Sequence, residues 1–538
     1  MIEPNGYCCL VLHAHLPYVR HSEAEAAMEE LWFFEAMTET YIPLVEMMDG
    51  WHRDGVDFRL TLSISPTLLS MLLDPVLRER YSRHLEQLIG LAEREVERTQ
   101  LMPLEQKAAR YYLERFGRCR QIWLERYQGD LVRPLRRHLN AGNLELITAG
   151  ATHAFLPLLQ HQSLAVRAQI RVARDMHVKH FGRPPGGLWS SECGYYPGLD
   201  DLLAEADLHY FFVDAHALLH GSPRPKYGTF APVFCPAGVA AFARDQLSSR
   251  SVWSADEGYP GDPAYREFYR DIGFELDPEY LGFSVHRSGA RLPTGIKYHR
   301  VTDRKRDLAE KQPYDVDAAL ARAREHAEDF VRCRQEQCDR LQGIMDRPAL
   351  VVSPYDAELF GHWWYEGIDF LDDLMRRLCE ASPSLKPITP SQYLAAYPVN
   401  QIVTPTTSSW GAGGYAAMWL GDENAWIYRH VHSAAERMIE LSRRYSNLAH
   451  GLLRRALNQM ARELLLAQSS DWAFIIQAGT MTEYAERRMR EHLANFNRIY
   501  NQVAAMRCEE AFIQDLEQRN GIFPDLQFEV FCERFQHD

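Results

Sequence analysis

The sequence predicts an α/β barrel followed by an all-helical domain, on three observations. Short apolar runs alternate with helix-like stretches over residues 1–400, polar residues gather directly after those runs, and residues 401–538 turn to long amphipathic helices.

The first run, residues 7–12, is continuously apolar, as in a strand buried on both faces, and stops at His13-Ala14-His15-Leu16-Pro17-Tyr18. Residues 58–64 repeat the form and lead through Ser65-Pro66 into a helix-like stretch at 67–73. From about 74 to 140 apolar residues recur at three- and four-residue spacing among charges, which reads as a helical insertion. Further runs follow at 144–148, 187–191, 210–213, 239–243 and 349–353. Their polar tips carry His153, Glu192, Asp214 with His216, Arg244 with Asp245, and Asp356 with Glu358. A barrel builds its site from residues that follow several parallel strands. An open doubly wound sheet binds ligands at the same ends, but no Gly-x-Gly-x-x-Gly or phosphate loop follows any of these runs. A long charged helix is expected at 316–345, and amphipathic helices at 424–468 and 484–515.

The chain has 538 residues, with 73 acidic against 59 basic side chains and a formal charge of -14, which argues against nucleic acid or an anionic membrane surface as partner. The N-terminal stretch lacks a basic segment and its apolar run is too short for a signal peptide or a membrane span, so a cytoplasmic location is expected. Ten cysteines without a Cys-x-x-Cys pair predict reduced thiols.

Two carboxylates stand out. Glu192 lies in Gly187-Leu188-Trp189-Ser190-Ser191-Glu192-Cys193-Gly194, at the end of a run, and Asp356 is followed by Phe360-Gly361-His362-Trp363-Trp364-Tyr365. A pair of acids ringed by aromatics suits glycosidic bond cleavage, where one attacks the anomeric carbon and the other protonates the leaving oxygen. The acid must keep its proton near neutral pH, which an apolar wall from Trp363 and Trp364 would favour. The bland reading of Glu192 is a buried structural carboxylate. His13, His15 and His153 admit a metal-site reading, or serve as hydrogen-bond donors to hydroxyls and carboxylates. Trp32, Trp253, Trp363, Trp364, Trp410, Trp419 and Trp426 are candidate sugar platforms, with Trp410 opening the glycine-rich Trp410-Gly411-Ala412-Gly413-Gly414-Tyr415.

With these motifs the chain resembles glycoside hydrolase family 57 and, within it, the family's glucan-branching members. The resemblance rests on His13 to Tyr18, residues 142–157 with His153, Trp189 to Glu192, Tyr355-Asp356 to Trp364, and Ser469-Ser470-Asp471-Trp472. It implies a (β/α)7 barrel, a retaining double displacement with Glu192 as nucleophile and Asp356 as acid/base, and no metal or cofactor. It further implies His13, His15 and His153 in the donor site, with Trp253, Trp410, Trp419 and Asp471 shaping a groove for an α-glucan. Branching members often carry a long loop with a site-covering tyrosine. Here only the compact 219–231 segment with Tyr227, and residues 246–250 before Trp253, are available. An α-amylase-like hydrolase and a non-catalytic glucan-binding protein are the alternatives.

Overall fold

The computed structural model describes residues 4–21, 27–254, 257–286, 288–303, 305–380 and 384–533. Seven strands, β1 (Gly6–Ala14), β2 (Leu60–Ile64), β3 (Leu144–Ala149), β4 (Gly187–Trp189), β5 (Tyr210–Val213), β6 (Ala240–Ala243) and β7 (Ala349–Asp356), coincide with the seven apolar runs. All their pairings are parallel, in the spatial order β6-β5-β4-β3-β2-β1-β7. The ring is completed between β6 and β7 by the Asp245 N–H donating to the Val352 carbonyl at 2.8 Å, in place of a ladder. Two short strands were beyond the reach of periodicity: Val233–Phe234 runs antiparallel to β6, and Leu385–Pro387 pairs with β1 at its start.

Side chains alternate across each strand, and the alternation sorts them. Cys9 and Val11 of β1, Ile147 and Ala149 of β3, Trp189, Tyr210, Phe212, Ala240, Phe242, Leu350 and Val352 form one enclosed cluster, the barrel interior. Cys8, Leu10, Leu12, Leu188, Phe211, Ala241 and Val351 belong to the larger cluster shared with the surrounding helices. Continuing the inner register by two residues from Val11 gives His13, and the β1–β7 register sets His13 beside Asp356. The polar layer thus caps the apolar one.

The insertion is helical as expected: α1 (Pro75–Arg98) is capped by Asp74, whose carboxylate accepts from Val76 and Leu77 amides, and α2 (Pro103–Arg120) packs along it. The charged helix between β6 and β7 is α3 (Val316–Leu341). The expected long helix at 424–468 is two, α4 (Trp426–Arg444) and α5 (Leu452–Ala467), because Gly451 takes φ 113° between them. The short α6 (Ser470–Ala478) precedes α7 (Thr482–Ala504), which ends before a separate α8 (Glu510–Arg519). These helices share the large apolar cluster with the barrel helices. Polar ties reinforce it: the Thr152 hydroxyl donates to the Leu465 carbonyl, and Gln169 donates to Gln468 at 2.9 Å. Among the described residues no helix is long and apolar enough to cross a membrane.

A π-helical turn at Met37–Tyr41 interrupts the helix after β1 and faces the loop after β7. Glu39 accepts from His362 at 2.6 Å, and the Thr40 hydroxyl donates to the Phe360 carbonyl at 3.0 Å. Gly361 sits between them with φ +101°, and a Cβ there would lie 1.9 Å from the Glu39 carbonyl oxygen. Gly361→Ala is therefore expected to destabilise the protein by about 2–4 kcal/mol through clash and backbone strain. A chemical denaturation midpoint close to that of the parent would contradict this packing.

Candidate active site

Glu192 reaches the barrel mouth because β4 ends early. The apolar run predicts a strand to Ser191, but the strand stops at Trp189, and Glu192 and Cys193 take left-handed backbone angles, φ 63° and 51°. Such angles cost a non-glycine residue about 1–3 kcal/mol and persist where the surroundings hold them. Here the Ser190 hydroxyl donates to the Gly194 carbonyl across the turn, and the Trp410 N–H donates to the Glu192 carbonyl at 2.9 Å.

The Glu192 carboxylate takes two neutral donors. Trp410 Nε1 donates to Oε2 at 2.8 Å and Ser470 Oγ to Oε1 at 3.2 Å. Burial pushes its pKa up to about 7, against the lowering effect of these two hydrogen bonds. Since Ser470 donates to a carboxylate, its oxygen accepts from His153 Nδ1 at 3.0 Å. That leaves His153 Nε2 to accept from His13 Nε2 at 2.9 Å, and His13 Nδ1 to accept from the Ser63 hydroxyl at 3.1 Å. The order of donors requires a neutral His153, and a neutral His13 extends it to Ser63. Burial, and then their histidine neighbours, indeed hold His13 and His153 well below the usual histidine pKa.

His15 differs. Burial disfavours its charge, but Asp471 accepts from His15 Nε2 at 3.0 Å and keeps its pKa above the usual value. In turn Asp471, despite burial, is held down at about 2 by His15. Among the described residues, His13, His15 and His153 are the group whose ligand atoms come within 4.8 Å of one another. Their rings stack at 17°, His15 on His153 at 3.8 Å, so their in-plane lone pairs run side by side and do not converge on one point. The nitrogens are committed to the links just described. This donor set does not fit a tetrahedral cation without rearrangement.

Asp356 is the other carboxyl of the layer. Burial, then the negative charges of Glu358 and Glu192, push its pKa well above the carboxylate range, while Arg244 opposes them. Arg244 is paired with Asp214 and lies over the Trp410 ring at 5.7 Å. His216 completes this side, bonding Asp214 at 3.1 Å and the Gly414 carbonyl at 2.8 Å.

The expected aromatic residues fall into different places. Trp410 contacts Glu192, and Trp253, 38 % exposed, meets Trp410 edge to face at 5.9 Å. Trp419 is 1 % exposed, stacked on Phe155 at 4.3 Å and covered by Gly411, so it supports the Trp410 turn from behind. Trp363 is 56 % exposed and stacks on Phe268 at 4.6 Å. Trp364 packs on Tyr265 and Phe370. The expected Trp363–Trp364 wall around the acid is thus replaced by like charge and general burial. Ser63 and Tyr41 had no signal in the sequence, while Glu358 stood at a polar tip and Ser470 in the Ser469–Trp472 motif without a role assigned to either.

Residues 9–405 match the sequence family described as Glycosyl hydrolase family 57. The chain belongs to that family. Within it, residues 430–531 match the family described as 1,4-alpha-glucan branching enzyme, C-terminal. This family member is 32% identical over 550 residues to a 1,4-alpha-glucan branching enzyme of Thermococcus kodakarensis, covering 96% of this chain and 77% of that one. Among solved structures it is similar to the alpha-amylase AmyC of Thermotoga maritima, with TM-score 0.92 and 46% identity over 99% of this chain and 100% of that chain. It is also similar to the family 57 branching enzyme of Thermococcus kodakaraensis solved with glucose, with TM-score 0.88 and 31% identity over 99% and 97% of the two chains.

The His15–Asp471 pair provides a direct check. Asp471→Asn is expected to lower the His15 pKa, because the charge that favours imidazolium is removed. An NMR titration in which His15 keeps its parental midpoint would contradict the pairing.

Proposed function

We propose that this protein is a 1,4-α-glucan branching enzyme, which cleaves an α-1,4 glucan and transfers the released segment to a 6-hydroxyl to form an α-1,6 branch. The observation that carries the chemistry is the contrast between its two carboxyls. Burial raises both pKa values, but Glu192 has two neutral donors that favour its charge, whereas Asp356 has the like charges of Glu358 and Glu192 that favour its proton. The branching assignment is supported by the match over residues 430–531 and by the Thermococcus relative.

In the proposed retaining mechanism, a Glu192 oxygen bonds to the anomeric carbon as the bond to the glycosidic oxygen breaks, and Asp356 gives its proton to that oxygen. In the second half, Asp356 takes the proton of the acceptor 6-hydroxyl while the acceptor oxygen bonds to the anomeric carbon and releases Glu192. His15, His13 and His153 line the donor side with Asp471, and Trp410 and Trp253 offer ring faces to sugar. Trp363 serves as an outer platform, and Trp419 shapes the groove through Gly411. A cytoplasmic location is supported by the ten free cysteines, and an α-glucan polymer as substrate by the branching-enzyme relative.

A hydrolytic reading is favoured by two observations. AmyC is described as an alpha-amylase, and Tyr227, the tyrosine of the 219–231 segment, is bound to Asp346 beneath Lys226 and Arg347. A tyrosine held there does not cover Glu192, and water then competes with the sugar acceptor.

On amylose, the parent protein is expected to build α-1,6 linkages, with Glu192→Gln and Asp356→Asn each lowering the rate by about 10⁴-fold or more. New reducing ends without branches would establish hydrolysis instead; variants as active as the parent would remove these residues from the chemistry. The rate should rise with pH through about 7 as Glu192 ionises, and fall at higher pH as Asp356 loses its proton. Exhaustive chelation is expected to leave the rate unchanged, and loss of activity restored by a divalent metal would revive the metal-site reading.

A further inference from the structure

We propose that Glu358 is a positioning residue for the acid step, a carboxylate anchored by Tyr41 and the His15 amide that keeps the proton on Asp356. The inference rests on the proposed role of Asp356 as acid/base.

Glu358 follows Asp356 by two residues, just past the end of β7, and is buried. One of its oxygens, Oε1, accepts two hydrogen bonds, from the Tyr41 hydroxyl and from the His15 backbone N–H at 3.0 Å. Burial pushes the Glu358 carboxyl up, and these two donors, with the neighbouring His15, oppose that and favour its ionised form. Neither donor is accidental. Tyr41 closes the π-helical turn that also grips Phe360 and His362, so the same element fixes the loop at three points. The His15 amide comes from the first residue after β1, the strand that pairs with β7.

A buried negative charge held beside a second carboxyl has one electrostatic consequence: the neighbour keeps its proton to higher pH. The charged and titratable groups facing Asp356 are Glu358, Glu192, Arg244, Tyr41 and Cys193. Those facing Glu358 are Asp356, Tyr41 and His15. During glycosylation the charge of Glu192 is consumed as its oxygen bonds to carbon, so Glu192 ceases to hold the proton on Asp356 as the reaction proceeds. Glu358 takes no part in bond making, and its charge persists through the step. That asymmetry suits a residue whose work is to hold the acid at a constant bias until the leaving oxygen takes the proton.

The test is the pH dependence of kcat/KM on a maltooligosaccharide for the parent, Glu358→Gln and Tyr41→Phe. Removing the charge should move the alkaline limb toward lower pH by about one unit, and with it lower the rate on that limb about tenfold. Tyr41→Phe, which removes one donor and so weakens ionisation of Glu358, should move the limb in the same direction by less. First-turnover release of fluoride from a maltooligosyl fluoride should show no such displacement, because fluoride leaves without a proton from Asp356. An unmoved limb in both variants, or a loss of equal size at every pH and on both substrates, would overturn the proposal. Should Glu358→Gln fail to fold, Tyr41→Phe alone decides by the same criterion. Asp356→Asn separates the two levels: loss on glucan with recovery on the fluoride upholds Asp356 as the acid, whereas full activity on glucan overturns that assignment and this inference with it.

Discussion

A buried carboxylate stays charged only if donors replace the water it has lost. At Glu192 both donors come from outside the barrel, the Trp410 indole and the Ser470 hydroxyl, while the barrel supplies the turn that delivers the carboxylate. The helices after residue 401 are therefore part of the charge balance of the site. The Ser470 amide also donates to the His153 carbonyl, and Asp471 holds the charge of His15. A barrel without those helices would keep its carboxyls and lose what orders their protons.

The histidines share one stack but divide the work. His13 and His153 pass hydrogen bonds in one direction from Ser63 to Glu192 and must be neutral to do so, whereas His15 is held toward its charged form by Asp471. Three identical side chains with ring nitrogens within 4.8 Å of one another thus differ in protonation because their partners differ. Partner identity sets the chemistry.

The seven strands were legible because each is a short apolar run buried on both faces, and Glu192 and Asp356 were legible because they follow such runs. Alternation along β1 extends this to His13. Other features were hidden for physical reasons. Ser470 acts on a carboxylate 278 residues away, a contact no local pattern encodes. The π turn at Met37–Tyr41 keeps helical periodicity, so nothing in the spacing marks Tyr41 as a partner of Glu358. Tryptophans could be counted, but which ring is open depends on neighbours such as Phe155 over Trp419 and Phe268 over Trp363. The split between α4 and α5 turned on Gly451, a residue type that long helices also tolerate.

The strand that carries Asp356 is laddered to β1 and meets β6 through a single backbone bond from Asp245. Mechanically, the barrel is a split ring. The laddered path from Glu192 to Asp356 is continuous through β3, β2 and β1, and is broken between β6 and β7. The two carboxyls therefore stand on opposite arms of a clasp whose stiff side is β1. The register between the two carboxyls is therefore set on the β1 side, and the β6–β7 side adds one backbone bond to it.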